Sequence, residues 1–186
     1  MKRIKIWNIL LLAIMMMLLV VSCGKSESDF DEELGRGYIL IAKTMYGNSI
    51  VYDEISHAWY EGIHKDITPS GKHCRDFDEA LKEIVDTLDA YNVRKETKQY
   101  NDSLLEIASQ LNPPPSGRKE CYDDFVDIVS DVSTLNRSAL DPSGSYNDYT
   151  QRNKALFDSI AKKLDKFRIK YGSILPKKAE GDGIDD

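Results

Sequence analysis

The chain has 186 residues, with 25 Lys and Arg against 31 Asp and Glu and a formal net charge of −6. That length and a hydrophobic content of 41% suit one domain with a real core, while the acidic balance argues against nucleic acid and anionic lipid surfaces as partners. At the N-terminus, Lys2, Arg3 and Lys5 precede an uncharged apolar run from Ile9 to Val21. A positive start followed by such a run is the pattern of a secretory leader. At about 13 residues it falls short of the ~20 that a membrane-crossing helix needs, so removal is expected rather than retention as a span.

The run closes on Val20-Val21-Ser22-Cys23, which resembles the lipobox of bacterial lipoproteins. The resemblance implies a signal peptide over residues 1–22 and cleavage before Cys23, whose thiol and new amino group take the acyl chains, palmitate among them. It also implies a partner, the lipid bilayer, and a place in the cell envelope. More than one chain is needed physically, because a single one binds a bilayer only marginally and reversibly. In that family a residue other than Asp after the cysteine favours the outer membrane, and Gly24 stands there. The acidic stretch after Gly24 resembles short export signals to the outer surface, so the periplasmic and surface faces both stay open. Residues 23–33 are expected to be an acidic flexible tether. Without residues 1–22 the balance is 22 basic against 31 acidic residues, a formal −9.

Helical spacing dominates the rest of the chain. Leu34, Tyr38, Ile41, Met45, Asn48, Tyr52, Ile55, Trp59 and Gly62 step by four and three, the seam of one long helix. After Thr68-Pro69-Ser70-Gly71, a second helix is expected from about Arg75 to Leu111. Its seam slips near Val93 and Arg94, which predicts a local overwinding or bend. Asn112-Pro113-Pro114-Pro115-Ser116-Gly117 stops it. A third seam carries Cys121, Phe125, Ile128, Val132, Leu135 and Ala139, and Asp141-Pro142-Ser143-Gly144-Ser145 ends it. The fourth carries Tyr149, Leu156, Ile160, Leu164, Phe167 and Tyr171, with basic residues toward its C-terminal end, where the helix dipole favours them.

Four amphipathic helices without period-two alternation predict an all-α fold, an elongated antiparallel four-helix bundle in up-down-up-down order over residues 34–175. A disordered tail is expected over residues 176–186. In that topology the loops at residues 68–72 and 141–145 share the end far from the lipid anchor. The first two helices outreach the last two, so the first hairpin is expected to project or to fray. Cys74 and Cys121 open helices at opposite ends, too far apart for a disulfide. Cys121 is expected in the core, and Cys74 is the candidate reactive or intermolecular thiol.

Chemical motifs are sparse. Glu54 and His57, then Glu61 and His64, repeat the Glu-x-x-His spacing of di-iron bundles, yet they fall opposite the Ile55 and Trp59 seam, so exposed pairing among neighbours is expected instead. His64, His73 and Cys74 flank one loop and are the candidate metal ligands, being zinc-type donors. Ser143-Gly144-Ser145 lacks the glycines of a nucleophile elbow, and no phosphate loop is present, so neither enzyme chemistry nor a bound cofactor is expected. Trp59, Tyr60, Tyr146 and Tyr149 gather aromatics at the distal end and are the candidate binding residues. The sequence therefore predicts a lipid-anchored helical module that binds an envelope protein or glycan. The alternative is a metal- or small-ligand-binding lipoprotein that uses His64, His73 and Cys74.

Overall fold

A computed structural model describes residues 26–175. The leader, the lipobox and Cys23 lie outside the described residues, as does the expected tail at residues 176–186. Among the described residues, five α-helices form the expected all-α bundle: α1 (Glu27–His64), α2 (Phe77–Ala90), α3 (Val93–Gln110), α4 (Lys119–Leu140) and α5 (Tyr146–Tyr171). Among the described residues there is no strand. An isolated antiparallel bridge between Ile67 and His73 closes the turn after α1.

Two boundaries differ from expectation. The first helix starts at Glu27, so residues 27–33 belong to the bundle and not to a tether. Three causes converge there. The Ser26 hydroxyl accepts the Asp29 backbone N–H at 3.1 Å, Glu27 and Asp29 favour the positive end of the helix dipole, and Phe30 is fully buried one turn before Leu34. A charge-rich stretch here still carries the first apolar step of the seam.

The second expected helix is two helices. Its break falls at Tyr91 and Asn92, one residue ahead of the expected slip, with Asn92 in the left-handed region at φ 59°. Asparagine is one of the few residues that adopts this conformation readily. The third and fourth seams fold as expected, with Cys121, Phe125, Ile128, Val132, Leu135 and Ala139 all buried. Ser145 and Asp148 form a reciprocal capping box at the start of α5.

Helix α1 is the central element and touches each of the other four. Glycines let it approach them closely. A Cβ on Gly37 would lie 2.6 Å from the Phe125 ring, one on Gly47 2.2 Å from Thr97 Oγ1, and one on Gly62 3.0 Å from Ala80. At one end, Arg118 grips Asp31 through two hydrogen bonds of 2.7 and 2.8 Å, and Lys170 reaches Glu120 and Asp124 at 2.6 and 2.9 Å. These contacts gather the starts of α1 and α4 with the end of α5. At the other end, Trp59 of α1 meets Phe77 of α2 and Tyr146 of α5.

The rods differ in length. At 1.5 Å per residue, α1 runs about 57 Å and α4 about 33 Å. Asn48 faces Asn136 across an offset of 88 residues, which sets Leu140, the last residue of α4, opposite Tyr52. The last three turns of α1 therefore rise past α4, paired with α2 and the first turns of α5, so the first hairpin projects.

Two apolar clusters fill the interior. The lower one includes Phe30, Ile41, Leu104, Phe125, Ile160 and Phe167, and the upper one Val51, Ile55, Trp59, Ile84, Leu88 and Tyr149. A buried polar layer separates them: Thr44 and Asn48 on α1, Thr97 and Asn101 on α3, Asn136 on α4, and Asn153 on α5. Asn136 Nδ2 donates to Asn48 Oδ1 at 2.9 Å, and Ser133 Oγ donates to Asn101 Oδ1 at 2.8 Å.

Candidate functional site

The projecting end is built from aromatic rings. Trp59 and Tyr60 lie on the penultimate turn of α1, Phe77 is the first residue of α2, and Tyr146 is the first of α5. Each helix start is fixed locally: the Asp76 side chain accepts the Glu79 N–H at 3.2 Å, and Ser145 caps α5. Those caps set where Phe77 and Tyr146 emerge. Gly62, pressed on Phe77 and Ala80, lets α2 draw close enough for Phe77 to stack on Trp59 with centroids 6.1 Å apart.

The four candidate aromatics come together, but not as one surface. Trp59 is 4% exposed and Tyr149 fully buried, their rings 5.6 Å apart, so both are core residues and not contact residues. Burial also pushes the Tyr149 phenol well above its usual range, with Tyr52 adding to the effect, and its hydroxyl has no hydrogen-bond partner among the described residues. Such a group anchors a fold and offers nothing to solvent. Tyr60 is exposed, and Tyr146, 6.2 Å away, is half-buried against the upper cluster with part of its ring at the surface; Tyr60 also lies 4.5 Å from the His64 ring. Around them, Ile63 and Phe77 are also exposed, at 42% and 39%. The surface is therefore Tyr60, Ile63, Phe77 and Tyr146, with Trp59 as its floor.

Spacing in the sequence puts Phe77 on the seam of its helix and marks Ile63 for no site. Phe77 occupies the first position of α2, where the neighbouring helix ends and only one side of the ring is covered. Its place just after a capping aspartate is the signal in the sequence. Ile63 comes three residues after Tyr60, one helical turn along the same face, and that spacing is legible.

The metal-ligand candidates are not brought together. His64 lies against Tyr60, while His73 Nδ1 is 3.1 Å from the backbone carbonyl of Asp66. Cys74 is buried, its thiol pushed up by desolvation and then by the Asp66 carboxylate, the opposite of a reactive or metal-bound thiolate. Among the described residues no group of three or more His, Cys, Asp and Glu side chains is placed to hold a metal ion. The metal reading and the reactive Cys74 are both set aside on this geometry. Cys121 sits in the lower core as expected, its thiol pushed up to about 12 by burial first and by Asp31 next. Both cysteines are free.

Glu54, His57 and His64 are exposed, and Glu61 pairs with Lys65 at 2.7 Å and His57 at 3.7 Å. The expected surface pairing is thus seen for His57 and Glu61, while Glu54 and His64 form no ion pair with any described residue. No described helix is long and apolar enough to cross a membrane. The chain matches no family model, no curated protein and no solved structure.

Proposed function

We propose that this protein is a lipid-anchored binding module of the bacterial envelope, tethered through acylated Cys23 and presenting Tyr60, Ile63, Phe77 and Tyr146 to a protein partner. The observation that carries the reading is the exposed aromatic patch at the far end of α1. Tyr60 stands 33 residues along the helix from Glu27, about 50 Å at helical rise. Glu27 comes only four residues after Cys23, so little slack separates the lipid from a stiff rod. Rings whose bodies are apolar and whose hydroxyls are wet, flanked by an isoleucine and a phenylalanine, suit protein contact, since such anchors dominate interface energetics. The rod acts as a spacer and the tip as the contact. No catalytic role is proposed.

Two measurements test this. A clickable palmitate analogue fed to the producing cells should label the wild-type chain and not Cys23→Ser; label on both would remove the anchor. A photo-crosslinking residue at position 60 should capture a discrete envelope protein, and the capture should fall about tenfold in a Tyr60→Ala, Phe77→Ala background probed from position 63. Adducts that are unchanged in that background, or that form only with glycan, would refute a protein-binding tip.

A further inference from the structure

A groove of about 630 Å³ lies between α3 and α4, several turns below the aromatic tip, at the step where α4 ends and α2 gives way to α3. Its size is within the range of small-molecule sites. In a chain with an acidic excess, its walls carry four cations: Arg94, Lys95, Lys98 and Arg137. Two are committed to the fold. Arg94 bonds Asp89 at 2.8 Å and the Leu140 carbonyl at 2.7 Å, and Lys98 bonds Asp102 at 2.6 Å. Lys95 on α3 and Arg137 on α4 both line the groove and form no ion pair with any described residue. Asp141 is the one acidic wall residue left to balance them.

The placement of these cations works against the helix that bears them. Arg94, Lys95 and Lys98 fall within the first six residues of α3, at the positive end of its dipole, and outnumber the one acid there, Glu96, whereas the first turns of α1, α2 and α5 carry acids alone. Such a local conflict is typical of functional positions.

The floor is polar and buried. Asn101 and Asn136 are 6% and 4% exposed, and both line the groove beside Ser133. Each amide is half used: Asn101 accepts from Ser133 through Oδ1, and Asn136 donates to Asn48 through Nδ2. No described residue bonds Asn101 Nδ2 or Asn136 Oδ1, which leaves one donor on α3 and one acceptor on α4 in the lining of the groove. Unlike Lys95 or Arg137, these side chains cannot swing away, because Asn48 and Ser133 hold them. A fixed donor and acceptor below two unpaired cations is the complement of hydroxyl groups attached to an oxyanion, with Leu105 and Leu140 supplying a small apolar wall.

From this the geometry points to a second site, distinct from the tip: the α3–α4 groove binds a small polyhydroxylated anion, a sugar phosphate or a sugar acid. Lys95 and Arg137 receive the anionic group, and Asn101 and Asn136 receive the hydroxyls. Calorimetric titration of the full chain in detergent with glucose 6-phosphate, glucuronate, glucose and inorganic phosphate tests it. At least one sugar anion should bind saturably, about tenfold or more tighter than glucose or phosphate alone, and the pair shows which oxyanion the site prefers. The exposed double variant Lys95→Gln, Arg137→Gln should melt as the wild type does and lose about tenfold or more in affinity. Saturation by neither sugar anion at about 10 mM would overturn the proposal, as would equal affinity in the double variant. Phosphate alone matching glucose 6-phosphate would equally overturn the role of the amide floor.

Discussion

At Gly47 the bundle is decided by a missing side chain. The position faces Thr97, whose hydroxyl donates to the Val93 carbonyl at 2.7 Å and so cannot turn away without losing that bond. Alanine is the better helix former by ~1 kcal/mol, yet its methyl would enter the Thr97 hydroxyl and push α1 off α3. Gly47→Ala is therefore expected to lower stability by about 1–3 kcal/mol in urea titrations, with little change in the helical signal of the folded state. A stabilised variant would show that α1 and α3 are not held at this distance. Phe30 carries the opposite lesson at the same scale. A ring amid Asp29, Asp31, Glu32 and Glu33 is hidden by their charges when the stretch is weighed by composition, and appears only when the seam is stepped back by four from Leu34.

Among the elements, the polar layer shows how far sequence patterns reach. The third seam is legible because its spacing by four and three is unbroken, and each expected position on α4 is buried. The seam through Asn48 marks that residue correctly as inward-facing. What spacing alone does not supply is its partner, because pairing Asn48 with Asn136 depends on which rods lie against each other. The groove is illegible for the same reason: Lys95 and Arg137 are 42 positions apart in the chain and line one groove only when α3 and α4 pack.

The layer also makes a sharp prediction. Asn136→Leu strips the donor from Asn48, whose own Nδ2 already lacks a partner among the described residues, and should cost about 1–3 kcal/mol. Replacing both by leucine removes the stranded groups and should restore thermal stability to the wild-type level or above. A double variant no better than the single one would mean that the amide pair contributes more than its mutual bond. A buried polar pair of this kind also fixes register, since sliding α4 by one turn would set Asn48 against Val132 or Leu140.

For the molecule as a whole, acid is the condition that should loosen it. Although burial works against the charge of Asp124, Lys170 and Tyr171 hold its carboxyl below the usual range, and Asp148, Glu61, Glu79 and Glu83 are lowered as well, chiefly by hydrogen bonds from Ser145, Lys65, Arg75 and Ser70. A carboxyl with a lower pKa in the folded chain binds its proton more readily when unfolded, so stability falls as pH falls. The contribution is complete above the unfolded values near about 4 and is lost progressively below them. Melting temperature should be flat from about pH 6 to pH 5 and then decline, the decline shrinking in an Asp124→Asn variant. A melting temperature that rises toward pH 3 would contradict this account.

The early stop of α4 has a consequence for how such a chain changes over time. Above that stop, packing rests on one helical hairpin and the start of a single neighbour, held by its own cluster of rings over the asparagine layer, with the Tyr52–Phe157 ring contact, centroids 5.6 Å apart, crossing between the two parts. New residues tried out at the summit are thereby largely insulated from the foundation. A head so mounted is free to be recut for a different visitor while the stem beneath it goes on standing as before.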